Sequence, residues 1–161
     1  MRLDQIEIRN ATSQDFSSIK SLHTDLYNIH HIGAPDIFKN IQSIVLSTKE
    51  IDISDFNVNN IVVATVDSLV VGYLEFFEKT IEESETLRQR KMYCVVDLVV
   101  SSEYRGKGIG KMLLGEVENR ARLNSFDSVE VPVFTFNRKA QDFYEINGYS
   151  EYVTRVRKVL Q

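Results

Sequence analysis

The chain has 161 residues, 43% hydrophobic and 26% charged, with a net charge of −4, enough for one soluble domain over 1–161 with a real core. No apolar run approaches the roughly 20 residues of a membrane helix, and the acidic balance argues against nucleic acid, which calls for a basic patch. The one cysteine, Cys94, excludes an internal disulfide; set in an apolar run, it reads as a buried inert thiol. Met1 to Asn10 holds no apolar signal segment, so the expected compartment is the cytoplasm.

Ile6, Ile8 and Ala11 predict a first strand over Gln5 to Arg9. Thr12 or Ser13 is placed to cap the next helix by accepting from its free N–H groups. Phe16, Ile19, Leu22, Leu26 and Ile29 recur in that helix at helical spacing. Gly33-Ala34-Pro35-Asp36 is a break, and a second helix is expected from Asp36, carrying Ile37, Ile41, Ile44 and Val45. Asn60 to Val66 and Leu69 to Phe77, joined by Asp67-Ser68, form a hairpin by pattern. Glu78 to Lys91 is highly charged and reads as a surface loop or as a polar extension of two long strands. Met92 to Val100 is apolar on both faces except at Asp97, as a central strand should be. A helix follows from about Gly108 to Leu123. Val129 to Phe134 is then a strand, parallel to the previous one if that helix is a crossover. Asn137 to Asn147 reads as a helix ended by Gly148, and Tyr149 to Leu160 as a final strand.

Three of the seven glycines fall in Arg105-Gly106-Lys107-Gly108-Ile109-Gly110, between an apolar strand and a helix. Glycine lets the backbone approach a ligand. The N–H groups and dipole at a helix start favour an anion. A Walker loop is absent, because four residues do not separate a first glycine from Gly-Lys-Ser/Thr. The dinucleotide fingerprint also fails, since Lys111 stands where its third glycine belongs.

A third pattern fits: Arg/Gln-x-x-Gly-x-Gly/Ala after an apolar strand, filled by Arg105, Gly108 and Gly110. With Asp97-Leu98-Val99-Val100 leading in, and with Asn137, Ala140, Phe143-Tyr144 and Gly148-Tyr149 about 30 residues on, the chain resembles the GNAT superfamily of acetyl-CoA-dependent N-acetyltransferases. The two motifs cover roughly a third of the chain. Ser102 departs from a common proline. Pro132 lies inside a strand, where a ladder N–H is lost.

The resemblance implies an α+β fold: a mixed, mostly antiparallel sheet of about six to seven strands flanked by about four helices. Its two central parallel strands separate to admit pantetheine, and Pro132 cannot close that gap. The resemblance also implies acetyl-CoA as co-substrate, no metal, and direct attack by an acceptor amine. Backbone groups of Arg105, Gly106, Lys107, Gly108, Ile109 and Gly110 would hold the pyrophosphate, with charge from Arg105, Lys107 and Lys111. Leu98, Val99 and Val100 would pair with pantetheine as a borrowed strand, and one of their N–H groups would polarise the thioester carbonyl. Tyr144 is the expected general acid for the departing thiolate. Asn137 is open to two readings, helix cap and pantetheine contact.

The expected base is Asp97, acting through water, with its pKa raised by burial; Glu75 is the rival. His23, His30 and His31 are read as surface or acceptor-lining residues, and His30 to Phe38 as acceptor lining and lid. The acceptor is open among a small amine, an amino acid, an aminoglycoside-like drug, and a protein N-terminus or lysine, with a small molecule preferred. An acetyl-CoA-binding sensor without efficient catalysis is the reading from another class. The final strand and second helix are the elements available for a homodimer.

Overall fold

The computed structural model describes residues 5–40 and 58–160. Its regular elements are Ile6–Asn10 (β1), Phe16–Gly33 (α1), Ile61–Val66 (β2), Leu69–Ile81 (β3), Arg90–Val100 (β4), Ile109–Leu123 (α2), Ser128–Glu130 (β5) and Arg138–Ile146 (α3). The strands make one sheet in sequence order, antiparallel from β1 to β4, with β5 parallel to β4. The expected class is therefore present, as is the parallel crossover through α2.

Helices cover both faces. Ile109, Leu113, Leu114 and Val117 of α2 pack on Val62, Leu74, Phe76 and Val95. Ile19 and Leu22 of α1 pack on Ile61, Val63, Tyr73 and Val99. Every residue of β2 is buried, as a strand sandwiched between two helical layers must be. Asp67 and Ser68 both take positive φ, 49° and 67°, which is the two-residue turn whose twist suits a hairpin.

β4 carries one extra residue. Glu75 pairs with Asp97, but Phe76 pairs with Val95. Val96 is the bulge, and it is largely exposed. Because side chains alternate along a strand, one inserted residue exchanges the faces beyond it. Tyr93 and Val95 thus point to the α2 layer, while Asp97 and Val99 turn toward α1.

The sheet has five strands and three α-helices among the described residues, fewer than the six to seven and four expected. Two differences lie in the described part. The strand expected over Val129 to Phe134 ends at Glu130, just before Pro132, which offers no N–H. The expected strand over Tyr149 to Leu160 does not form. Its apolar residues Tyr152, Val153, Val156, Val159 and Leu160 are all exposed, and the sheet among the described residues ends at β5 without pairing to it. Of the expected second helix, Asp36 to Phe38 forms a turn; Ile41, Ile44 and Val45 lie outside the described residues. Ile29 is exposed rather than in the core stripe.

The start of α1 is a capping box: Thr12 is the N-cap, as expected, of the 3-10 turn Ser13–Asp15 that leads into the helix, and the Asp15 carboxylate reaches back to it. Thr12 donates through its N–H (2.7 Å) and its hydroxyl (2.9 Å) to Asp15 Oδ2. Arg9 of β1 grips both oxygens of Asp15 at 2.8 Å. The Arg9 hydrogen bonds, opposed by burial, hold the Asp15 carboxyl at about 2. A lowered carboxyl stabilises the fold fully above its unfolded value and loses that contribution as pH falls through the folded one. Allowing for solvent screening at the partly exposed arginine, Asp15→Asn should cost about 1–2 kcal/mol at neutral pH. The wild-type advantage should vanish between about pH 4 and pH 2, which urea titrations across that range will show.

Candidate active site

The glycine turn runs from β4 through a short 3-10 turn, Ser102–Tyr104, into α2. Gly106 and Gly108 have φ of 73° and 82°, and a Cβ at either would meet nothing within 4 Å. Glycine is needed there for backbone handedness, not for room, and the turn is open on its outer side. Gly108 is the N-cap of α2, and no side chain caps it. The first-turn N–H groups therefore have no intrahelical acceptor, and the positive end of the helix dipole lies with them. Arg105 Nε donates to the Val100 carbonyl at 2.9 Å. Lys107 Nζ donates to the Glu103 carbonyl at 2.8 Å and sits 4.8 Å above the Tyr104 ring. Both cations fold back along the turn. Ile109 buries its side chain under α2, so only its backbone is available to a ligand.

Beside the turn, the two parallel strands part. Lys91 and Asp127 clamp their start: the Lys91 N–H donates to Asp127 Oδ2 at 2.7 Å, and the Asp127 N–H to the Lys91 carbonyl at 2.8 Å. Pairing then covers Met92, Tyr93 and Cys94 against Ser128, Val129 and Glu130. Among the described residues it goes no further, although β4 continues to Val100. Leu98, Val99 and Val100 thus have no β5 partner, which leaves an opening in the ladder along that edge of β4, with Pro132 in the segment that follows β5. Cys94, at the last pair, is half-buried rather than sealed, and burial and Glu130 push its thiol pKa up, away from nucleophile character.

α3 packs nearby, with Tyr144 in the core cluster that Leu98 and Val100 join. Asn137 caps the helix, its Oδ1 accepting from the Ala140 N–H at 3.2 Å. At the other end Gly148 has φ of 89°. Its N–H donates to the Glu145 carbonyl at 2.9 Å, and the Tyr149 N–H donates to the Tyr144 carbonyl at 3.0 Å. This is the Schellman arrangement, with its usual contact between the residue after the glycine and the one five before it. That contact is the Tyr144–Tyr149 ring pair, 5.4 Å apart. Tyr144 is buried, and burial, then the charge of Asp97, raises its phenol pKa above the usual range. Among the described residues no buried polar side-chain atom lacks a partner, and none of these residues hydrogen-bonds the Tyr144 hydroxyl, so that oxygen opens to the accessible surface.

Asp97 lies under α1. Its Oδ2 accepts from the Tyr73 hydroxyl at 3.1 Å and lies 3.1 Å from His23 Nδ1, which is 2.9 Å from the Tyr73 oxygen. The three polar atoms thus form a closed triangle on the α1 side of the sheet. Burial and Asp97 raise the Tyr73 phenol pKa far above its ordinary value. Glu75, opposite Asp97 in the register, is half-buried; burial and the charge of Asp97 raise its pKa, with His23 opposing.

Sequence reasoning misses the contact among His23, Tyr73 and Asp97. It gives the histidine a surface or acceptor-lining place, of which the largely buried side chain excludes the surface, and nothing in Tyr73's strand marks the tyrosine. A signal for the helix is present: His23, Tyr27 and His30 stand at i, i+4 and i+7, a stripe of rings beside the aliphatic one. Among the described residues no group of three or more His, Cys, Asp and Glu could hold a metal, and no helix is long and apolar enough to cross a membrane.

A parted parallel pair, a glycine turn at its end and a tyrosine beside it are features of acetyltransferase folds. Residues 17–149 match the acetyltransferase (GNAT) family, and the chain belongs to that family. No curated protein matches it in sequence. Solved structures do. A mutant form of the BH1408 protein from Bacillus halodurans has 23% identity and a TM-score of 0.81 over 96% of this chain and 99% of that one. The aminoglycoside acetyltransferase meta-AAC0020 from an uncultured soil metagenomic sample, in complex with trehalose, has 21% identity and a TM-score of 0.65 over 99% of both. The aminoglycoside N-acetyltransferase AAC(6')-Iy in complex with CoA has 15% identity and a TM-score of 0.64 over 95% of this chain and 94% of that one. At such identities the likeness is one of fold.

The Tyr73–Asp97–His23 group should be tightly coupled. Tyr73→Phe removes a buried donor from Asp97 and should cost about 1–3 kcal/mol. In a double-mutant cycle with His23→Ala, measured by urea unfolding, the two losses should fall short of additive.

Proposed function

We propose that this protein transfers an acetyl group from acetyl-CoA to a primary amine. The observation that carries this reading is the opening between β4 and β5 with the glycine turn at its end. The outward N–H groups at the start of α2, with Arg105, Lys107 and Lys111 around them, suit a pyrophosphate. The parted edge at Leu98, Val99 and Val100 suits the pantetheine amides, which would complete the ladder that β5 abandons. The bound thioester supplies an activated acetyl group and a thiolate leaving group.

The chain's own groups manage the protons. Tyr144, with a raised pKa, is a neutral phenol at neutral pH and is the donor to the thiolate. The acceptor arrives as an ammonium and must lose a proton before attack. The Glu75–Asp97 pair receives it through water. Asp97 accepts from Tyr73 and faces His23, and burial and the charge of Asp97 increase the proton affinity of Glu75. Asn137 is occupied as the α3 cap, which supports a structural part in holding Tyr144.

Three measurements test this. Calorimetry with CoA should show tight binding to the wild type and none to Gly108→Glu, whose bulk and charge would fill the turn. Normal binding by that variant would end the pyrophosphate reading. Tyr144→Phe should lower kcat by about 10²-fold or more while CoA affinity stays near normal; unchanged turnover would remove Tyr144 from the acid role. The acid limb of the kcat/KM profile should rise with pH above the ordinary glutamate range, and Glu75→Gln should flatten it. If Asp97→Asn flattens it instead, Asp97 is the base. Binding of acetyl-CoA without thiol release, for any small amine or lysine peptide, would favour a sensor.

A further inference from the structure

Five aromatic rings meet beside the opening, brought from three separate parts of the chain. Tyr27 and His30 come from α1, Phe38 from the turn after it, and Phe134 and Phe136 from the segment that leaves β5. His30 is the hub, 4.8 Å from Phe38, 5.6 Å from Phe134 and 6.1 Å from Phe136. Phe38 lies 5.2 Å from Phe134 and 6.0 Å from Tyr27. All of these fall in the range where ring pairs attract.

The rings are fixed in place. His31 donates through Nδ1 to the Phe38 carbonyl at 2.8 Å, and the Phe38 N–H donates to the Ala34 carbonyl at 3.0 Å. Phe136 lies so close to α1 that a Cβ on Gly33 would come within 2.2 Å of its ring. Yet they are not sealed as core. Tyr27, His30, Phe38 and Phe136 are half-buried, and Phe134 is 37% exposed.

This wall ends on negative charge. The Tyr27 ring lies tilted against His23, centroids 4.5 Å apart, and His23 Nδ1 contacts Asp97. The charges of Asp97 and Glu75 reach the Tyr27 phenol. Burial lowers the pKa of His30, so at neutral pH the hub is an uncharged ring and does not repel a cation.

From this geometry we infer that the acceptor is a primary amine bearing an aromatic or similarly flat apolar group, its ammonium directed at Asp97 and Glu75 and its body laid against the five rings. The inference rests on the acetyl-transfer reading above and narrows it. Ring faces attract a cation as well as apolar surface. A heavily hydroxylated amine would instead press its hydroxyls against rings that give them few partners, losing hydrogen bonds to water.

The test is steady-state thiol release with acetyl-CoA and three probes: 2-phenylethylamine, ethylamine and kanamycin. The wild type should show kcat/KM for 2-phenylethylamine at least about 10-fold above either of the others, one ring contact's worth of selectivity. Phe134→Ala should reduce the phenylethylamine-to-ethylamine ratio by about 10-fold, and Phe134→Leu by less. Phe134 is the most exposed of the four tyrosine and phenylalanine rings, and thermal melts will confirm that both variants fold. Equal rates for the three probes, preference for kanamycin, or an unchanged ratio in Phe134→Ala would overturn the inference. If no amine is acetylated, the acetyl-transfer reading falls. Calorimetry of the CoA-saturated protein then decides the rest: binding of 2-phenylethylamine but not ethylamine upholds the amine site, and binding of neither ends it.

Discussion

β4 and β5 hold together for three residue pairs and then part, and most of what distinguishes this molecule depends on that. Every buried N–H and carbonyl needs a partner, so a strand edge that outruns its neighbour must be met by something else. Here β4 runs six residues beyond its last pairing with β5, and the ladder is clamped at its start by the mutual Lys91–Asp127 hydrogen bonds. The opening therefore has a fixed hinge and a fixed direction. It leads toward the glycine turn, and Pro132, just beyond β5, has no N–H with which to extend the ladder.

Both helical layers reach this opening by different means. From one side α3 delivers Tyr144, its angle set by the Asn137 cap at one end and by Gly148 and Tyr149 at the other. From the other side α1 delivers His23 and the rings of Tyr27 and His30. The Arg9–Asp15 pair ties the beginning of that helix to the sheet edge. Tyr144 and Asp97 thus belong to opposite layers, yet the charge of one is felt by the other. The parted strands are where the two layers communicate without the sheet between them.

Much of this is legible in the sequence wherever one local rule decides the outcome. Glycines at 106 and 108 suit positive φ, Gly148 announces the end of α3, and Asp67-Ser68 announces a hairpin; each depends on a few neighbours. The α1 core stripe is readable as far as Leu26. What fails has long-range causes. Tyr149 to Leu160 is rich in β-formers, but a strand exists only if another strand accepts it. The length of β5 is set by a divergence that Pro132 hints at and composition hides. His23 and Tyr73 lie 50 residues apart; the β3–β4 register sets Tyr73 beside Asp97, and the packing of α1 across those strands adds His23. The ring cluster likewise needs α1 and the segment beyond β5 to be brought together.

The bulge at Val96 carries a consequence of a different kind. Val96 stands outside the ladder, between Val95 opposite Phe76 and Asp97 opposite Glu75. Drawn into regular pairing, it would push Asp97 one place along, to the side where Tyr93 and Val95 pack, and out of line with Glu75. Removing it would instead close the bulge with Glu75 still opposite Asp97. The arrangement at Asp97 therefore tolerates the loss of this residue better than its incorporation, and it is encoded in which residues pair rather than in how many the strand contains.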